Sequence, residues 1–369
     1  MEETEEPTAA EPPHWWVYRC TPEPHDGIER LPDPPPWRAF ARQAADDIAP
    51  GPTPYEVEDA VGDEVGRAGT RRLGRHLRGM TYQADPEEIN LVNMALHLRR
   101  PLLVTGQPGV GKSTLAYSIA HELKLGPVLR WSITSRSTLL EGQYHYDAIG
   151  RLQDVGLHRD KVLSGHDGAP EAVEPPDIGP YLRLGPLGTA LLPWRRPRVL
   201  LVDEIDKSDL DLPNDLLNIF EEGEFLIPEL ARLAQGSAKV MTADPGRWAE
   251  VHSGQVSCTE FPVVVLTSNG ERDFPPAFLR RCVRLEIAPP DENKLAHMVA
   301  AHLPLRDEGD LAKRRRLIAT FLRKQRDESA DLANDQLLNA LHMAASSLWE
   351  EADGPDLIER RLLRPLNGD

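Results

Sequence analysis

The sequence predicts an α/β protein built on a parallel sheet with flanking helices, and three segments carry that prediction. Each reads as a short buried strand that ends in polar residues: PLLVT (Pro101–Thr105), running into GQPGVGKS (Gly106–Ser113); RVLLVDEID (Arg198–Asp206); and FPVVVLTSN (Phe261–Asn269). Unbroken apolar runs of this length fit strands covered on both faces. Polar groups past their ends fall at the carboxyl edge of the sheet, where open α/β folds bind ligands.

The first segment is the most specific. It reads G-x-x-x-x-G-K-[ST] between a strand and the helix TLAYSIAHEL (Thr114–Leu123), the context that this pattern requires. Gly106, Gln107, Pro108, Gly109, Val110 and Gly111 would wrap backbone N–H groups around a phosphate chain, at a helix N-terminus whose dipole favours anions. Lys112 is expected on the β- and γ-phosphates, the Ser113 hydroxyl on Mg²⁺, and Thr114 within reach of the α-phosphate. ATP and Mg²⁺ are the cofactors implied. In the second segment Asp203 suits a water-mediated Mg²⁺ contact and Glu204 suits polarising a water for attack on the γ-phosphate. A water-activating glutamate argues for hydrolysis over transfer to a small molecule. In the third, Asn269 suits a hydrogen bond to both that water and the γ-phosphate. GERDFPPAFLRRC (Gly270–Cys282) then leads to Arg280 and Arg281, ahead of a further strand, VRLEI (Val283–Ile287). The two arginines read either as a basic helix cap or as a cation that enters a neighbouring subunit's nucleotide site, and the order of motifs favours the second.

Upstream, DPEEINLVNMALHLRR (Asp85–Arg100) has acids first, arginines last and Ile89, Val92, Ala95 and Leu96 at helical spacing. Before it the composition changes. Of a net charge of −17, residues 1–66 hold −12 and twelve prolines, so this stretch is expected to be disordered. HWWVYRC (His14–Cys20) and PPPWRAF (Pro34–Phe40) stand out within it as apolar peptides suited to docking on a partner or on the chain's own domain. Arg67, Arg71, Arg72, Arg75 and Arg78 follow without an acid between Glu64 and Asp85. This run reads as a linker or a counterpart of the acidic tail in preference to a nucleic-acid patch, because an acidic chain is poorly suited to neutralising phosphates. Three cysteines without a CxxC argue against a disulfide scaffold or zinc site. No apolar run approaches the ~18–20 residues of a membrane span, and MEETEEPTAAE is unlike a signal peptide. The expectation is a cytoplasmic protein.

The motif order resembles the AAA+ ATPases, and the MoxR-like branch in particular: YHYD, LGPLGTALL, DEIDKSDLDLPNDLL, TSNGERDFPPAFLRRC and LANDQLLNAL. The resemblance runs from about Thr81 to Ala344. It implies a P-loop core with sheet order 5-1-4-3-2 over residues 80–290 and a C-terminal α-helical lid over 291–369, and it leaves uncovered residues 1–79, which composition makes a disordered tail and basic linker. GQPGVGKS takes the place of Walker A, LLVDE of Walker B, Asn269 of sensor 1, and Arg281, with Arg280 in reserve, of the arginine finger. Ser137–Asp154 has the place of the helix-2 insert, a hairpin in which Tyr144 and Tyr146 either grip a substrate or pack. Glu222–Phe261 has the place of the pre-sensor-1 hairpin. The family further implies a ring, usually a hexamer, chaperone-like work on a protein substrate, and partners with von Willebrand factor A domains. A nucleotide-dependent regulatory switch in a signalling or defence assembly is the alternative reading. The sensor 2 arginine expected in the lid is missing, and Asn334, Asp335 and Gln336 occupy its region.

Overall fold

The computed structural model describes residues 12–40, 82–164, 177–233, 236–303, 308–327, 332–346, 349, 351 and 353–364. In it α1 (Pro86–Leu98) leads into β1 (Leu102–Thr105), the glycine-rich loop and α2 (Lys112–Glu122). Next come β2 (Leu129–Ser132), α3 (Leu139–Gln143), β3 (Tyr144–Tyr146), α4 (Ala148–Ser164), β4 (Leu182–Leu184) and α5 (Pro186–Ala190). The chain continues through β5 (Val199–Asp203), α6 (Leu212–Glu222), β6 (Glu224–Leu226), α7 (Pro228–Ala231), β7 (Ser237–Met241), β8 (Trp248–His252) and β9 (Gln255–Ser257). It closes with β10 (Val263–Ser268), α8 (Pro276–Arg281), β11 (Val283–Glu286) and the helices α9 (Glu292–His302), α10 (Glu308–Asp327), α11 (Asn334–Ala344) and α12 (Gly354–Leu362).

Five strands form a parallel sheet in the order β11–β1–β10–β5–β2. Counted by their position among these five, that is the expected order 5-1-4-3-2. The register sets Thr105 beside Ser268 and Ser132 beside Asp203, so the polar residues meet along one edge. Alternation sends Val199 and Leu201 to the face covered by α1 and α2, and Leu200 and Val202 to the other face, with its own core. Both faces are covered, which is why these strands read as unbroken apolar runs.

The two hairpins expected outside this sheet merge into one. β3–β4–β7–β8–β9–β6 make a second, six-stranded sheet, joined by a parallel contact between Arg183 and Met241. Tyr144 is buried there, stacks on Phe225 at 6.5 Å and donates to Glu229 Oε2 at 2.8 Å, so it packs instead of gripping a substrate.

The tail requires a correction. Residues 12–40, expected to be disordered, form a strap across the core, while the rest of 1–79 lies outside the described residues. Net composition hid its order, although Val17, Tyr18 and Phe40 lie in the two apolar peptides that the sequence marks as able to dock on the chain's own domain. Val17, Tyr18 and Ile28 join the core of α1 and α2. Asn93 on α1 accepts from Val17 and Tyr18 N–H at 2.6 and 2.9 Å and donates to Tyr18 O at 2.7 Å. Glu122, fully buried at the end of α2, accepts from Arg19 and Thr21 N–H at 2.6 and 2.9 Å and bonds His25 Nε2 at 2.9 Å. These side chains meet the strap's backbone polar groups, which an apolar surface would leave unsatisfied. At its far end Phe40 stacks on Phe261 at 5.1 Å.

In the C-terminal region α9–α12 pack around Leu317, Phe321, Leu337 and Ile358. All four lie within 291–369, the stretch expected to form a helical lid. Lys294 ties this bundle to α1 through Glu88 at 2.9 Å and Asp85 at 3.3 Å. Among the described residues no helix is long and apolar enough to cross a membrane, and no His/Cys/Asp/Glu cluster has the make-up of a metal site.

Candidate functional site

The loop between β1 and α2 needs its glycines. Gly109 and Gly111 lie at φ +79° and +104°, where an L side chain is strained. A Cβ on Gly109 would also come within 2.8 Å of Ala333 Cβ and 2.9 Å of Asn334 N, at the start of α11. The C-terminal helices thus sit directly over the loop. Lys112, the first residue of α2, is buried, with Nζ 2.6 Å from Gly106 O and 2.8 Å from Gln107 O. Pro108 and Thr114 are half-buried and Val110 is buried, completing the expected loop set.

Across the strand ends a connected constellation forms. Asp203 Oδ1 accepts from Ser113 Oγ at 2.7 Å and from Thr267 Oγ1 at 2.8 Å. Arg130 grips Asp203 Oδ2 through Nε at 3.0 Å and Nη2 at 2.5 Å. Burial alone would raise the Asp203 carboxyl, but the bonds from Ser113, Arg130 and Thr267 and the Arg130 charge outweigh it and hold the group below the usual carboxylate range. Thr267 Oγ1 also accepts from Glu204 N–H at 2.9 Å. Glu204 occupies the left-handed region, at φ +62° and ψ +52°, with its carboxylate 2.9 Å from Lys207 Nζ. Asp206, buried, accepts from the N–H groups of Asn269 at 2.8 Å and Glu271 at 3.2 Å, which pins the turn carrying Asn269 to the turn carrying Glu204.

Lys112, Ser113, Asp203, Glu204 and Asn269, widely separated in sequence, are therefore gathered on one edge. Arg280 and Arg281 stand apart from it. Arg280 is exposed, and its carbonyl accepts from Arg100 at 3.1 Å. Arg281 bonds Glu221 Oε1 through Nε at 2.7 Å and Ala277 O through Nη1 at 3.4 Å. In the lid Gln336 does not reach the loop: it caps Ala333 N–H at 2.9 Å and donates to Arg364 O at 2.8 Å. Sequence reasoning missed Arg130, Asp206 and Glu221. For Glu221 a signal existed, because an acid in the last turn of a helix opposes the dipole and asks for a cation.

The loop and the donor set fit a nucleoside triphosphate with a divalent cation: a backbone cradle in which Gly106 and Gly109 leave no room for a Cβ, one buried lysine, a hydroxyl and an ionised carboxylate. Residues 101–282 match the family model of the AAA domain, dynein-related subfamily. No curated protein matches the chain. Residues 101–286, with their β11–β1–β10–β5–β2 sheet and glycine loop, have the fold of an AAA+ P-loop NTPase core, the family match covering 101–282 of them.

Proposed function

We propose that the protein binds and hydrolyses Mg·ATP as a ring oligomer of the MoxR-like AAA+ type and uses the cycle to remodel a protein partner. The observation that carries the hydrolytic reading is the Ser113–Asp203–Thr267–Glu204 chain of hydrogen bonds that links the start of α2 to the ends of β5 and β10. Lys112 and the loop N–H groups bind the phosphates. Ser113 and Asp203 would hold Mg²⁺, which when bound neutralises charge on the β- and γ-phosphates. Glu204, fixed through its own N–H, orients and polarises the attacking water, and Asn269 is held beside it by Asp206. Arg281, with Arg280 in reserve, serves the adjacent subunit's γ-phosphate. The MoxR-like motifs YHYD, LGPLGTALL and LANDQLLNAL support the finer placement and a partner with a von Willebrand factor A domain, and the acidic MEETEEPTAAE supports a cytoplasmic setting.

Glu204→Gln tests the chemistry. The variant keeps the shape of the side chain but is a far poorer proton acceptor, so Mg·ATP binding should persist while turnover falls at least ~10²-fold. Unchanged turnover in the purified variant would assign the water to another residue.

A further inference from the structure

The strap ends beside the arginine assigned to the neighbouring active site. Arg38, 3% exposed, enters between α6 and Phe261. It donates through Nη1 to Phe220 O, one of the last carbonyls of α6, and its guanidinium lies 5.8 Å from the Phe261 ring and 5.9 Å from the Phe40 ring. Its Nη2 lies 3.4 Å from Glu221 Oε1. That oxygen is the one that Arg281 Nε holds at 2.7 Å. One carboxylate atom thus takes a guanidinium from the strap and a guanidinium from α8.

Several features of this cluster point the same way. Glu221 and Glu222 end α6, where the helix dipole disfavours acids, so the two arginines supply what the helix end lacks. Glu221 engages only the Nε edge of Arg281, and Ala277 O takes Nη1. A guanidinium gripped along one edge presents its remaining fork in a fixed direction. Arg38 in turn fixes Glu221, because it is itself locked by burial, by Phe220 O and by two aromatic faces. The polar contacts of α6 with the strap therefore converge on the arginine whose aim matters.

We propose that Arg38 and Glu221 are positioning residues for Arg281, so that the docked strap sets the turnover of the neighbouring subunit. This rests on the reading of Arg281 as the trans-acting arginine. Steady-state ATP hydrolysis and Mg·ATP affinity of the full-length protein test it, using Arg38→Ala, Glu221→Gln, Arg281→Ala and the double variant Arg38→Ala/Arg281→Ala. A misaimed group about 1 Å out of place costs up to ~10²-fold, so Arg38→Ala and Glu221→Gln should each lose ~10–10²-fold in kcat with KM and affinity nearly unchanged. In the double variant Arg38→Ala should add nothing to Arg281→Ala, since a positioning residue has no effect once its target is gone. Additive losses, or full turnover in Glu221→Gln, overturn the proposal. Glu221 is half-exposed, so that variant decides even if Arg38→Ala unfolds. Wild-type turnover in Arg281→Ala would instead bring down the assignment of the arginine itself, a result distinct from additivity.

Discussion

At the scale of single residues, the site is held together by Thr267. Its hydroxyl donates to Asp203 and accepts from the N–H of Glu204, so one side chain fixes both acids. Glu204 needs that hold, because a left-handed conformation costs a non-glycine residue about 1–3 kcal/mol unless its surroundings over-determine it. Asp203 titrates below its ordinary value of 3.8 despite its burial. A depressed folded value gives stability that is present above the unfolded value and is lost as pH falls through the folded one. Arg130→Met removes two bonds and a charge from Asp203 and brings its folded value back up. The variant should therefore lose stability at a higher pH than wild type, within the acid limb below the ordinary carboxylate value. Thermal unfolding followed from pH ~5 down to ~3 checks this; superimposable acid limbs would show that Arg130 does not govern Asp203.

At the scale of elements, α2 ends in a residue that determines whether the strap docks. Glu122→Ala would strip acceptors from the N–H groups of Arg19 and Thr21 and from His25. Each donor left buried and unmet costs about 1–3 kcal/mol, so residues 12–40 should become readily cleaved by protease while the sheet stays intact. A strap as resistant as wild type would mean that Tyr18 and Asn93 suffice to hold it. How far these elements were legible follows from where their signals lie. The strands β1, β5 and β10 were readable because each buries a continuous apolar run and ends in its own motif. The strap was legible only in part: HWWVYRC and PPPWRAF stood out as peptides able to dock on the chain's own domain, but the place of docking depends on Asn93 and Glu122 more than 70 residues away, and Ile28 lay in an acidic, proline-rich stretch without such a signal. The joining of two hairpins into a six-stranded sheet was equally hidden, since its link is a single pair, Arg183 with Met241. Arg130 was missed for a related reason: in LRWS it looks like any outward residue of an alternating strand, and only the register beside β5 puts it on Asp203.

At the scale of the whole molecule, the separation of Arg281 from the loop is what a shared site requires. Its hydrogen bonds go to Glu221 and Ala277, whereas Lys112, Ser113, Asp203 and Glu204 gather at the sheet edge of the same chain. An arginine finger is worth roughly 10³–10⁵ in rate in phosphoryl-transfer enzymes, so Arg281→Ala should bind Mg·ATP and scarcely turn it over. Lys112→Ala should fail for the opposite reason, with an intact arginine and a crippled phosphate site. If each active site is built from two copies, mixing the two variants restores some interfaces that pair a sound loop with a sound arginine. Part of the activity then returns, although neither variant is active alone. Hydrolysis measured across mixing ratios, with subunit exchange confirmed by a fluorescent label on each variant, reads this directly. A mixture as inactive as its components, once exchange is seen, would place the role of Arg281 within its own subunit, as the cation that balances Glu221 at the end of α6.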